Sequence, residues 1–258
     1  MDSQELIGVL QDKIVEIYKE QNLNCIRGIH LDYKLNGREI LVWHSDVTRK
    51  ASNANQDFSY LENLDDIFFC SEELLYFTAY LFLYRPYINN PLDDGRMFNG
   101  EMVYPNYQNL ESKRYSMYAD VVSQKTYNFW DRIGDLLASY FPDRIKPHKV
   151  FFGTALDVIP EDFHKSDNYK WLRNFNDSNF SEVNRIRKRI VHYATSDTDY
   201  KNNHLKHSSN KEKMEKLQSE RMSLPEFYQN QIKLTIEGFE KTLLLLEEFD
   251  DALFSHLP

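Results

Sequence analysis

Apolar residues recur at helical spacing over most of the chain. Leu6, Leu10, Ile14 and Ile17 share one face at steps of four, four and three, which predicts an amphipathic helix from about Ser3 to Gln21 that needs a partner surface. Ile29, Leu31 and Tyr33 alternate before Asn36-Gly37, and Ile40 and Val42 alternate after it, the pattern of a hairpin with a primed turn. The polar, asparagine-rich stretch from Thr48 to Asp57 reads as a loop. From about Tyr60 to Tyr84 apolar residues occupy more than one side, predicting a largely buried helix that Pro86 and Pro91 end. Asn89 to Pro105 reads as a long connection, and a second long helix runs from about Leu110 to Phe141 with Pro142 beyond it. Pro147 and Pro160 bracket a further connection.

Two shorter helices follow, Lys165 to Phe175 and one opening at Asn179, where Asn-x-x-Glu with Glu182 has the form of a capping box. Ser196 to Asn210 carries no apolar period and reads as a mobile loop. In the last helix, Leu224 to Phe254, the residues Ile232, Ile236, Phe239, Leu243, Leu246 and Leu253 form a four-and-three seam broken at Asp250. The expected fold class is mainly α, an up-and-down helical bundle with a small β-hairpin near the N-terminus. Residues 1–57, the first helix and the hairpin, pack in this reading on a bundle formed by residues 58–258, the whole being one compact unit.

Composition agrees. With 258 residues, 41% hydrophobic and 28% charged, the chain is long enough to bury a core and is neither disordered nor fibrous. Eight glycines and eight prolines leave few residues for tight turns, which argues against a many-stranded sandwich or barrel. Leu74 to Tyr84, the longest nearly unbroken apolar run, is shorter than the roughly 20 residues of a membrane span. The start, MDSQELIG, has acids where a secretion signal carries lysines. Two cysteines, Cys25 and Cys70, are too few for a disulfide framework. A cytoplasmic protein without membrane attachment is expected.

The net charge of −9 counts against a nucleic-acid partner until its distribution is considered. From Asn184 to Lys216 there are nine Lys or Arg against four acids. That segment reads either as a solvated helix face plus loop or as an anion-binding surface. Tyr104, Tyr107, Tyr115, Tyr118 and Tyr127 have the chemistry to stack on bases, although aromatics at this density more often belong to a core.

Several chemistries have no motif in the chain. There is no glycine-rich phosphate loop and no Gly-x-Ser-x-Gly. His204 and His207 have an His-x-x-His spacing but no third ligand nearby, and His164 with Asp167 is a weaker pair still, so no metal site and no cofactor is expected. The forty acids do not single out a catalytic carboxylate pair.

The strongest candidate lies in the helix after Asn179, where Arg187 is followed five positions later by His192. Chance alone supplies roughly 0.4 such pairs in a chain of this size, so the spacing needs context. Val183, Ile186 and Ile190 form an apolar stripe that would seat the helix. Asn184, Lys188 and His192 fall on one line at four-residue steps, and Arg185 stands seven residues before the histidine. A histidine near a helix end also serves as a cap or a plain surface residue, and both uses remain open at this point.

These residues resemble the HEPN superfamily, helical bundles marked by Arg-x4-6-His late in a helix, usually with a polar residue directly after the arginine. Arg187, Lys188 and His192 match the motif. The looser frame of Phe180, Val183-Asn184, Ile186-Arg187 and Ile190-Val191-His192-Tyr193 is also similar to it, the Cthe-type families most of all. The resemblance implies an HEPN-like bundle from about Tyr60 to Phe254 and a homodimer in which two motif helices face each other. In active members it implies metal-independent RNA cleavage, with Arg187 and His192 catalytic and with Lys188, Asn184, Arg185, Arg189 and Tyr193 binding substrate. It also implies a stress or phage-defence role, with RNA and an antitoxin or other protein as the partners to expect. The residue after the arginine is usually Asn, Asp or His in active members, whereas Lys188 donates hydrogen bonds and accepts none. The alternative is therefore a non-catalytic bundle that binds RNA or a protein through its basic segment.

Overall fold

The computed structural model describes residues 2–254. Among them are α1 (Ser3–Glu20), β1 (Lys34–Leu35), β2 (Arg38–Glu39), α2 (Ile40–Ala54), α3 (Tyr60–Tyr84), β3 (Arg96–Phe98), β4 (Glu101–Val103), α4 (Leu110–Ala138), α5 (Phe152–Val158), α6 (Asp167–Phe175), α7 (Ser181–His192), α8 (Ser196–His207), α9 (Lys211–Met222) and α10 (Leu224–Phe254). The protein is a mainly-α helical bundle, with two small antiparallel strand pairs among the described residues. α3 and α10 keep the bounds their apolar periods predict. Tyr60–Asp94 holds a stretch long and apolar enough to cross a membrane, but 61% of it is buried within the protein, as in a core helix.

Local chemistry accounts for the starts of several elements. The Asp2 carboxylate accepts from the amides of Gln4 and Glu5 at 2.8 and 2.9 Å, and the Glu5 carboxylate accepts from the Asp2 amide at 2.8 Å, a reciprocal cap on α1. Asn36 and Gly37 stand at φ 49° and 80°, the left-handed pair that a primed turn requires between β1 and β2.

Five sequence expectations are corrected. The first hairpin is only two residues deep on each side: Ile29 to Tyr33 forms turns rather than strand, and Ile40 opens α2. Thr48 to Ala54 is helical, because Ile40, Trp43, His44, Val47, Thr48 and Ala51 bury one face of α2. The connection from Asn89 to Pro105 contains β3 and β4, turned at Asn99-Gly100 with φ 50° and 85°. Between Pro147 and Pro160 lies α5, which buries Phe152, Ala155 and Leu156. Ser196 to His207 is α8, capped by the Thr195 hydroxyl and held by two inward residues one turn apart, Tyr200 and His204.

The chain forms two compact units. One combines Leu75–Gln124 and Arg185–Asn230 with the N-terminal segment up to Leu23. It is knit by polar contacts reaching into its core. The Arg221 guanidinium lies 4.2 Å from the Tyr200 ring centre and donates to the Ser112 carbonyl at 2.9 Å, while the Tyr115 hydroxyl donates to the Arg221 carbonyl at 2.7 Å. His204 is fully buried and its Nε2 donates to the carbonyl of Tyr104, the residue after β4, at 2.8 Å, which holds that segment against α8. Burial lowers the pKa of this imidazole. On α1 only Ile14 and Ile17 of the expected face are buried, whereas Leu6 and Leu10 are exposed.

The other unit combines Asn24–Leu74, Lys125–Asn184 and the segment from Gln231 onward. Its centre is Trp130, fully buried against Phe175 at 4.0 Å and Phe152 at 4.9 Å between ring centres. A second aromatic group gathers on Phe249, with Phe163 at 4.6 Å and Phe141 at 5.1 Å. Arg38 stacks on Trp43 at 3.6 Å, and the Trp43 indole donates to Glu247 at 2.9 Å, tying the first hairpin and α2 to α10.

Candidate functional site on α7

α7 has no separate cap. Asn176–Phe180 forms a π-helical turn that runs from α6 straight into Ser181, with Phe175, Asn176 and Ser181 all in right-handed helical conformation, so the Asn179 capping box does not form. The Ser178 and Ser181 hydroxyls instead bond back to the carbonyls of Asn174 and Ser178, each at 2.6 Å.

The apolar stripe seats the helix as its spacing predicts. Val183 is buried, and Ile186 and Ile190 are half-buried. Opposite them Arg185, Lys188 and His192 are exposed along one line, joined by Val191 and by Tyr193, which is 84% exposed. The His192 and Tyr193 rings are 6.5 Å apart at 75°. The remaining candidates sit lower. Asn184 is half-buried with its side-chain oxygen enclosed and unpaired. Arg187 is half-buried and, like Arg185, engaged by other groups of the protein. Arg189 is ion-paired with Asp199.

On a helix with 3.6 residues per turn, Arg187 and His192 point about 140° apart, separated by about 7.5 Å along the axis. One copy of α7 therefore brings Arg185, Lys188 and His192 together on one side and turns Arg187 away from them.

The end of α7 is fixed from α4 and α8. The amides of Tyr193 and Ala194 both donate to the Arg189 carbonyl, at 2.9 and 3.0 Å, and the Ser196 amide donates to the Asp120 carboxylate at 3.0 Å. Burial raises the pKa of Asp120, against the lowering effect of its bonds from Ser196. Asp120 and Asp199 were not legible as partners of this segment, since Asp120 lies far off in sequence and Asp199 falls in a stretch that reads as a loop.

Part of the basic segment is ion-paired. Besides Arg189 with Asp199, Lys211 pairs with Glu215 at 3.6 Å and Lys216 with Glu220 at 3.9 Å. Lys188, Lys201, Lys206 and Lys213 are exposed. Of the tyrosines considered for stacking, Tyr104, Tyr115 and Tyr127 are buried, Tyr118 is half-buried and Tyr107 is exposed. Among the described residues no three His, Cys, Asp or Glu side chains gather into a metal-binding group.

The model of the Cthe2314-like HEPN family matches residues 75–247. The chain belongs to the HEPN superfamily. No curated protein and no solved structure matches it. The HEPN segment takes in the last turns of α3, all of α4 to α9 and most of α10, and so contains every candidate residue of α7. α1, the first hairpin and α2 lie outside it.

Proposed function

We propose that this HEPN protein is a metal-independent endoribonuclease of the stress or phage-defence type, working in the cytoplasm as a homodimer, with an antitoxin or other protein as its regulator. Family membership points to a nuclease or RNA-related role, and one observation carries the finer reading. On the helix with the Arg-x4-His spacing, His192 is exposed in line with Arg185 and Lys188. The divergence of Arg187 from His192 is what a second copy resolves, since two facing α7 helices offer both residue types to one phosphate.

In that reaction the ribose 2'-hydroxyl attacks the adjacent phosphorus. His192 accepts the hydroxyl proton, and His192 of the partner subunit gives a proton to the departing 5'-oxygen, leaving a 2',3'-cyclic phosphate. Arg187 holds the phosphorane oxygens with its planar fork, which lowers the barrier by about 3 kcal/mol. Arg185, Lys188, Arg189, Asn184 and Tyr193 supply phosphate and base contacts around the scissile bond.

The second reading, an RNA-binding or protein-binding bundle without catalysis, is favoured by Lys188 and Arg187. An ammonium offers no acceptor to orient an imidazole N–H, and Arg187 is half-buried and already engaged within the chain.

The experiment is incubation of mixed RNA with wild-type protein and His192→Ala in EDTA, read with the chemistry of the new ends and the mass of the protein in solution. Cleavage in EDTA that leaves cyclic phosphate and vanishes in the variant supports the nuclease. RNA binding without cleavage by either protein transfers support to the second reading, and a monomeric mass removes the two-copy site.

A further inference from the structure

The unit that carries α8 and α9 also holds an aromatic ladder that the α7 reading does not use. Tyr76, Tyr80 and Tyr84 recur every fourth residue on α3, and Tyr118 of α4 packs against them. Its ring centre is 4.6 Å from Tyr80 and 5.6 Å from Tyr84, the latter nearly parallel at 24°. Phe77 stacks on Tyr118 at 6.0 Å and 30°. Tyr80 is buried, Phe77, Tyr84 and Tyr118 are half-buried, and Tyr76 is exposed.

At its Tyr84 end the ladder opens into a cavity of about 530 Å³ lined by Leu83, Tyr84, Tyr87, Asn109 and Glu111. That size falls among small-ligand clefts of roughly 300–1,000 Å³. Two asparagines pin the walls. The Asn109 side chain donates to the Tyr87 carbonyl at 2.7 Å and caps α4 by accepting from the Ser112 amide at 2.8 Å, and the Asn89 side chain donates to the Tyr107 carbonyl at 2.8 Å. Tyr87 is nevertheless 63% exposed. Arg114, one turn beyond Glu111, is exposed with its guanidinium 3.5 Å from the Tyr84 hydroxyl, and exposed Lys113 stands beside it.

We propose that this cavity receives an unpaired base of single-stranded RNA, stacked on Tyr84 and Tyr87, with Arg114 and Lys113 on the flanking phosphates. The inference rests on the RNA reading above and adds to it a second contact region. Aromatic rings beside exposed cations are the chemistry of strand-binding platforms. The Glu111 carboxylate only accepts hydrogen bonds when ionised, so it favours bases that present an exocyclic amino group over uracil, whose N3–H is flanked by two carbonyl oxygens that repel the carboxylate.

The test is fluorescence anisotropy with labelled oligo(A), oligo(C), oligo(U) and a duplex of equal length, in the His192→Ala background so that the probes stay intact. Adding Tyr87→Ala is expected to weaken single-strand binding roughly tenfold and to leave duplex binding unchanged. Tyr87→Phe, which keeps the ring, retains affinity within about twofold. A second variant, Glu111→Gln, loses the discrimination against oligo(U), because an amide also donates to a uracil carbonyl. If Tyr87→Ala binds single strands like its parent while Lys188→Ala binds them more weakly, the cavity is not the site and the RNA reading stands. Equal weakening for duplex and single strand overturns base stacking. Failure of the parent to bind any probe removes both proposals.

Discussion

Gly238 of α10 and Trp130 of α4 meet so closely that a single methyl group tests the packing at the centre of their unit. A Cβ at position 238 would lie 2.2 Å from Cη2 and 2.8 Å from Cζ3 of Trp130, and 3.2 Å from Cζ3 of Trp171. The indole of Trp130 has little room to swing, being fully buried with Phe175 at 4.0 Å and Phe152 at 4.9 Å. Two opposed effects decide the sign of Gly238→Ala. Alanine in a helix gains about 1 kcal/mol over glycine, and forcing a methyl into a packed core costs about 1–3 kcal/mol, here at the upper end because the obstacle is a boxed aromatic ring. The net loss is about 2 kcal/mol, or a fall in Tm of roughly 4 to 8 °C. Thermal and urea unfolding followed by circular dichroism measure it. Gly8→Ala is the matched control, since nothing lies within 4 Å of a Cβ there and propensity alone acts, so that variant is expected to gain about 0.5–1 kcal/mol. A Gly238→Ala protein as stable as wild type, or more so, would refute the argument, because the indole would then have space to move.

Other outcomes follow from residues described above. Burial pushes His44 down to about 4, with its Nε2 enclosed and unpaired, so the unfolded chain takes up a proton near the ordinary histidine value that the folded chain refuses. Stability is therefore full above about pH 6.5 and declines as pH falls toward 4, by roughly 3 kcal/mol in total, and His44→Gln flattens that slope in urea titrations at successive pH values. Gly37 sits at φ 80°, where an L-residue is strained, and Gly37→Ala is expected to lose about 1 kcal/mol in the same assay, whereas an unchanged midpoint would mean the turn is not held. If α7 meets RNA, Lys188→Ala lowers the slope of log affinity against log salt by about one, and an unchanged slope excludes a phosphate contact at that residue.

The sequence was most legible where burial follows a single period. Tyr60 to Tyr84 and Leu224 to Phe254 were bounded correctly because each combines a long apolar pattern with clear stops. α2 and α8 were missed for the same reason as each other. Their helices rest on few inward residues, Thr48 and Ala51 in the second half of α2 and Tyr200 and His204 in α8, amid polar residues that local propensity alone assigns to loops. The second hairpin has a sequence signal of its own, Asn99-Gly100 between Met97-Phe98 and Met102-Val103. The capping box at Asn179 failed because the chain arrives there already helical, leaving no orphan amides to satisfy. At the site, Arg187 and His192 were legible as a spacing, but their different exposure was not, since half-burial of Arg187 depends on groups elsewhere in the chain. Asp120 had no local signal, because its role begins only when α8 starts beside it.

The pinned segment between α3 and α4 has a consequence for how the chain can vary. Asn89 and Asn109 fasten its two ends, and Tyr104 is held by its amide to the Ser208 carbonyl at 2.7 Å and by its carbonyl to His204. What lies between, the exposed tip at Asn99-Gly100, carries none of those fastenings. Doubling a flexible loop costs only about 0.6 kcal/mol in closure entropy. Residues added at Asn99-Gly100 would lengthen an overhang whose roots stay anchored, which makes the tip a place to graft a peptide or a label while Tyr84 and Tyr87 keep their positions.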